Sequence, residues 1–156
     1  MTKTNAMRLL DAANISYGTA EYEYDENDLS GTHAAAAIGM PPEQVFKTLV
    51  TRGDRTGVLV FCIPVDGELD LRKAAVVSGN KKVEMIHVKE LLGLTGYLRG
   101  GCSPVGMKKR YPTYIDETAI LFDVIAVSAG LRGQQLLLAP DDLVAYTGAS
   151  CMDITL

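Results

Sequence analysis

The chain has 156 residues, 47% hydrophobic and 22% charged, and a formal net charge of −4. That length suits one domain, 1–156, with a core of useful size. The acidic balance argues against a surface coated uniformly in positive charge for nucleic acid, although it leaves room for a local basic patch.

Thr4 to Asn14 carries apolar residues at helical spacing, with Thr4 as a cap. EYEYDEND, at 21–28, reads as a short strand running into an acidic loop. THAAAAIG predicts a helix from about Ser30 to Gly39, and Pro41–Pro42 restart the chain. VFKTLV at 45–50, the turn RGDRTG and VLVFCIPV at 58–65 predict a β-hairpin. LDLRKAAVVSG reads as a helix capped by Asp70 and stopped by Gly79. VEMIHV predicts a strand and VKELLGL a short helix. TYID, FDVIAVSAG and QLLLAP are strand-like, PDDLVAYTG is a helix with Pro140 in its first turn, and CMDITL closes the chain as an edge strand. Strands outnumber helices, and hairpins mix with helical crossovers. The expected fold is α+β, a mixed, curved, barrel-like sheet surrounded by helices.

Three cysteines without a CxxC or CxxxC spacing argue against a disulfide framework, and the separated His33 and His87 lack the spacing of a zinc site. No metal or cofactor is expected. The N-terminal stretch has no long apolar run and no membrane-length segment follows, so the chain reads as cytosolic.

Lys47 sits in a strand that is apolar on both faces. Either the strand is an edge and the side chain snorkels to water, or Lys47 lines a pocket and binds an anionic or carbonyl group. GYLRGGCSPVG, at 96–106, packs four glycines, a serine and a proline into eleven residues. It is a sharp turn, or a loop whose backbone N–H groups approach a substrate closely. It matches neither GxxxxGK[ST] nor GxGxxG. Cys102 has no histidine near it in sequence to activate it. Ser128 ends a strand beside a turn, placed for a site or for capping that turn. Asp141 and Asp142 suit the first turn of a helix, and one of them could also hold a substrate ammonium. Lys108, Lys109 and Arg110 form a basic run that is a solvated face or a phosphate-binding rim. No Ser-His-Asp signature, HExxH or GxSxG is present.

FKTLV, ELDLRKAA, KKVEM, TGYLRGGCSPVGMKKR, PTYID, VSAGLRG and LAPDDL, in this order and spacing, resemble the YbaK/EbsC family of aminoacyl-tRNA deacylases. Its relatives include the editing domain of bacterial prolyl-tRNA synthetases. The resemblance spans nearly the whole chain. It implies hydrolysis of the ester joining a wrong amino acid to the 3′ end of tRNA, typically Cys-tRNA(Pro), without a metal. It implies tRNA and prolyl-tRNA synthetase as partners, with no DNA and no membrane. The family's lysine falls on Lys47 and its threonine on Thr48. Its glycine loop falls on Gly100, Gly101, Ser103 and Pro104, and its VSGG serine on Ser128. Its tyrosine falls on Tyr24 and its A-P-x-D aspartate on Asp142. In this branch the substrate's own thiol attacks its ester, so no protein nucleophile is required. Lys47 is expected to hold the ribose or phosphate end, and Gly100–Gly101 to supply backbone donors to the oxyanion. Lys108, Lys109 and Arg110 are expected to contact tRNA. Other esters (Ala-tRNA(Pro), seryl or threonyl) and a non-catalytic module that binds a tRNA end or a synthetase are the competing readings. Ala129 replaces the second small residue of VSGG, and Ser30 stands where relatives often carry an aromatic residue, which bears on the amino acid removed.

Overall fold

The computed structural model describes residues 2–156. Among the described residues there are eight strands and five α-helices. They are α1 (Asn5–Ala12), β1 (Gly18–Glu21), α2 (Gly31–Ile38), β2 (Phe46–Gly53), β3 (Gly57–Pro64), α3 (Leu71–Ser78), β4 (Val83–Met85), α4 (Val88–Thr95), β5 (Thr113–Asp116), β6 (Ile125–Ser128), β7 (Gln134–Leu138), α5 (Pro140–Thr147) and β8 (Ser150–Met152). The sequence predicts the type of every one of these elements. It does not predict two 3-10 turns, Pro42–Gln44 and Glu117–Leu121. The first strand also lies earlier than expected, at 18–21, and most of EYEYDEND is loop.

Local chemistry sets the helix ends. Thr4 Oγ1 accepts from the Met7 N–H, Ser30 Oγ from the His33 N–H, and Asp70 Oδ1 from the Arg72 and Lys73 N–H groups. Gly39 and Gly79 take the left-handed conformation that stops α2 and α3.

The strands form two sheets rather than a barrel. One has the order β4-β2-β3-β5-β8, antiparallel except where β5 pairs with β3 and β8; the other is β1-β7-β6, all antiparallel. β8 is an edge strand, as its sequence suggests. Closure fails because β4 covers β2 only at Thr51–Gly53, and the two sheets are joined by a single parallel bridge, Val45 to Ala126. The main core lies between the sheets. Phe46, Val60, Cys62 and Ile115 face Ile125, Val127, Leu136 and Leu138, with Met7 and Leu10 of α1 and Leu143 of α5 sealing the sides. On the other face of the larger sheet, Leu59, Phe61 and Ile63 pack against Ala74 and Ala75 of α3. A smaller cluster of Ala35, Val45, Val65 and Ala126 seats α2 over the junction of the sheets.

Candidate active site

The incomplete pairing of β2 creates an opening. Val45 O accepts from the Val65 N–H, so that residue turns its carbonyl toward β3. Val50 O accepts from the Ile86 N–H and the Asp54 N–H donates to Lys82 O, so even-numbered residues face the β4 side. The two-residue period therefore aims the backbone groups of Thr48 at a stretch of edge that β4 does not reach and that lies beyond the Val45–Ala126 bridge. A cavity of about 380 Å³ lies along this edge.

Each wall comes from a different element. β2 contributes Lys47 and Thr48, the start of α2 contributes Ser30, Gly31 and Ala34, and Val65 follows β3. Met85, Ile86, Val88 and Leu91 form the side toward α4, and Arg99, Gly100 and Cys102 belong to the glycine loop. Ser128 and Gln135 stand directly opposite each other on β6 and β7, on the face of the small sheet that also carries Ala126 and Leu137. Tyr22, just past β1, completes the lining. Gly31 is required where α2 meets Val65: an added Cβ would lie 2.3 Å from Val65 Cγ1.

β2 is interior in the strand order, but at Lys47 it pairs only with Ile63 of β3, because β4 reaches no further than Thr51. Lys47 is half-buried and, among the described residues, forms no ion pair. Thr48 Oγ1 lies 3.8 Å from Cys62 Sγ. The glycine loop is held from both sides. Gly100 has φ +86° and a Cβ there would meet Leu29 at 3.2 Å, whereas a Cβ on Gly101 would sit 3.1 Å from the Arg132 backbone nitrogen. The Gly101 N–H donates to Leu98 O at 3.0 Å, whereas those of Gly100 and Cys102 meet no protein acceptor among the described residues. Ser103 is fully buried and its Oγ accepts from the Val105 N–H at 3.2 Å, so it shapes the loop from within. The Tyr97 hydroxyl donates to Val105 O, tying the two ends of the loop together.

Burial pushes the Cys102 thiol up to about 12, with a Thr95 hydrogen bond acting in the opposite direction. It is a neutral thiol at physiological pH and lacks the thiolate character of a nucleophile. Among the described residues, neither a histidine nor a carboxylate lines the cavity, and its charged side chains are Lys47 and Arg99.

Of the residues singled out in the sequence, Lys47, Thr48, Gly100 and Ser128 meet at this cavity. Gly101 and Ser103 lie behind the loop surface. Tyr24 is 44% exposed on a separate shallow groove, and Tyr22 is the tyrosine that reaches the cavity. Asp142 lies in the first turn of α5, away from the lining. Lys108, Lys109 and Arg110 line a second depression of about 200 Å³ with Tyr146 and Thr147. Arg110 is engaged there, donating to Tyr146 O at 2.6 Å. The glycine loop thus has the cavity on one flank and the basic depression on the other. Arg99 appears in the sequence only as one of several cations, and Tyr22 and Gln135 carry no local signal beyond their types. Among the described residues, no three His, Cys, Asp or Glu side chains converge as metal ligands.

The fold is that of a tRNA-editing protein. The model of the aminoacyl-tRNA editing domain matches residues 29–146, and the chain belongs to that family. It is 48% identical over 153 residues to an Enterococcus faecalis protein named "Putative Cys-tRNA(Pro)/Cys-tRNA(Cys) deacylase EbsC", covering 98% of this chain and 93% of that one. A crystal structure of "a putative trans-editing enzyme for prolyl tRNA synthetase" superimposes with a TM-score of 0.83 at 26% identity, covering 100% of this chain and 99% of the other. Part of the proline–tRNA ligase of Thermosipho africanus is 30% identical over 91 residues, covering 58% of this chain and 16% of the ligase. No helix among the described residues is long and apolar enough to cross a membrane.

Proposed function

We propose that the chain is a trans-acting deacylase of mischarged Cys-tRNA(Pro), and that the substrate's cysteine thiol is the nucleophile. The sulfur attacks the ester carbonyl, the new S–C bond forms as the ester C–O bond breaks, and the ribose hydroxyl leaves with the proton. The observation that carries this reading is a cavity without a nucleophile–base pair: its one thiol, on Cys102, is held neutral, and no histidine or carboxylate among the described residues reaches it.

A protein that supplies no nucleophile still lowers the barrier by holding thiol and carbonyl in contact and by meeting the charge that develops on oxygen. The uncommitted N–H groups of Gly100 and Cys102 suit the second task, and Gly101, with its N–H bonded to Leu98 O, fixes the loop that presents them. Lys47 and Thr48 hold the ribose end, and Arg99 at the mouth meets the phosphate that follows. The basic depression of Lys108 and Lys109 takes the acceptor strand. The kinship with the Enterococcus protein, and with a structure described as editing for prolyl tRNA synthetase, supports both the substrate and that synthetase as a working partner.

The test is single-turnover deacylation of Cys-tRNA(Pro), Cys-tRNA(Cys) and Ala-tRNA(Pro). Rapid loss of cysteine with alanine retained is the expected result. Equal loss of alanine would replace the thiol by water, and absence of turnover even with the synthetase added would make the chain a binding module.

A further inference from the structure

The side chain of Gln135 is the unexplained group of the cavity. It is only 6% exposed, it lines the cavity, and its Oε1 is buried with no hydrogen-bond partner. A buried amide oxygen without a partner is costly, and proteins seldom keep one without a use. The cross-strand neighbour, Ser128, is 8% exposed; its Oγ accepts from the Gly130 N–H, and no hydrogen bond joins it to Gln135. The β6–β7 register therefore holds Gln135 in the cavity wall, with its buried Oε1 uncommitted among the described residues.

The remaining lining says what it receives. The cavity's charged groups are both cations, Lys47 and Arg99, and its mouth is marked by exposed Arg99, Met85 and Val88. A polynucleotide stays at that mouth, so the part of an aminoacyl ester that enters the cavity is the amino acid. Every aminoacyl ester carries an amino group beside its carbonyl, and an amine needs an acceptor. No carboxylate among the described residues lines the cavity to provide one, and Asp141 and Asp142 lie elsewhere, on α5. We infer that Gln135 is a specificity-determining residue whose Oε1 accepts a hydrogen bond from the α-amino group of the esterified amino acid, selecting aminoacyl over deaminated or N-blocked acyl esters. This rests on the deacylase reading of the same cavity. A site built to bond a polar group rejects the analogue that lacks it, because its own buried atom is then left unpaired.

The experiment measures binding and turnover separately. Binding is read with a non-hydrolysable 3′-cysteinylamido-adenosine and with its deaminated 3-mercaptopropionyl counterpart, for wild type, Gln135→Met and Gln135→Glu. Turnover is read with Cys-tRNA(Pro) and 3-mercaptopropionyl-tRNA(Pro). Wild type should prefer the amine-bearing member of each pair by about tenfold or more. Gln135→Met, close in shape and without the acceptor, should bring that ratio near one while still binding the deaminated analogue. Gln135→Glu should keep or enlarge it. An unchanged ratio in Gln135→Met overturns the inference, as does a wild type indifferent to the amine. Amine-dependent binding without turnover would sink the catalytic reading and leave the assignment of Gln135 standing. If neither analogue binds wild type, both fall together.

Discussion

Gly31 and Val65 pack so closely that a Cβ on the glycine would lie 2.3 Å from one Val65 methyl and 2.7 Å from its Cβ. The contact fixes the first turn of α2 against the residue after β3, and both residues are cavity wall. Gly31→Ala gains a little helix propensity but overpacks this contact, and overpacking wins: a loss of about 1–3 kcal/mol is expected by denaturant titration. Val65→Ala leaves its own Cβ 2.7 Å from the new one, so Val65→Gly is the change that should relieve the overlap, giving a favourable coupling of about 1 kcal/mol or more in the double-mutant cycle. Additive effects would mean that the helix simply shifts.

Lys47→Ala removes a cavity-lining cation that is paired with no carboxylate among the described residues. Stability should change by no more than about 0.5 kcal/mol, whereas single-turnover deacylation of Cys-tRNA(Pro) should fall about 100-fold or more. Full activity in this variant would remove Lys47 from the mechanism.

The thiols should report their surroundings. Burial pushes Cys62 and Cys102 up to about 12, and Cys151 is exposed. At neutral pH a thiol reagent should modify Cys151 first, Cys102 slowly and Cys62 only on unfolding. The folded chain keeps protons on Cys62 and Cys102 that the unfolded chain releases above pH about 9. Stability from these groups is therefore complete below that pH and is lost as pH rises toward 12. Unfolding midpoints measured across that window should fall in the wild type, and less steeply in Cys62→Ala.

Asn80 staples the β2–β3 turn. Its Oδ1 accepts from the Arg55 and Thr56 N–H groups at 2.8 and 3.0 Å, and its Nδ2 donates to Thr56 Oγ1 and Ser78 Oγ. Asn80→Ala should cost about 2–3 kcal/mol in denaturant titration, since two turn donors lose their acceptor. Asn80 does not line the cavity, so deacylation well below the melting temperature should be retained. A stability loss below about 0.5 kcal/mol would show that water replaces the staple.

Replacing Lys108 and Lys109 together by alanine should raise the KM for full-length tRNA and reduce the salt slope by about two. The KM for a cysteinyl-adenosine ester, which has no acceptor strand, should stay put. A parallel rise for both substrates would place these lysines in the acyl pocket rather than on a path for RNA.

Much of the fold is legible because its signals are local. Thr4, Ser30 and Asp70 announce helix starts, Gly39 and Gly79 announce stops, and the apolar runs on either side of RGDRTG announce a hairpin. The site is less legible because it depends on register. Tyr22 and Tyr24 are equivalent by type and spacing, and only the contact of Tyr22 with the strand turn at Gly133, where its N–H donates to the Gly133 carbonyl, decides which one lies by the cavity. Gln135 reads as the first residue of an apolar strand, and its importance follows from standing across from Ser128 on a neighbouring strand. The glycine loop is visible as glycines, but Leu29 and Leu131, which hold it, are remote in sequence. Sheet closure is invisible for a similar reason: nothing in VEM says that β4 pairs with only three residues of β2.

The gap on β2 also acts as a gauge. It runs from the Val45–Ala126 bridge to the Ile86–Val50 hydrogen bond, leaving residues 47–49 without a strand on that side. At about 3.3 Å per residue that is about 10 Å of β2 without a partner strand. On the deacylase reading proposed above, an unpaired 3′ end would lie along this stretch and a paired stem would not. The unpaired length at a substrate's 3′ end, as much as its sequence, would then decide what reaches the cavity.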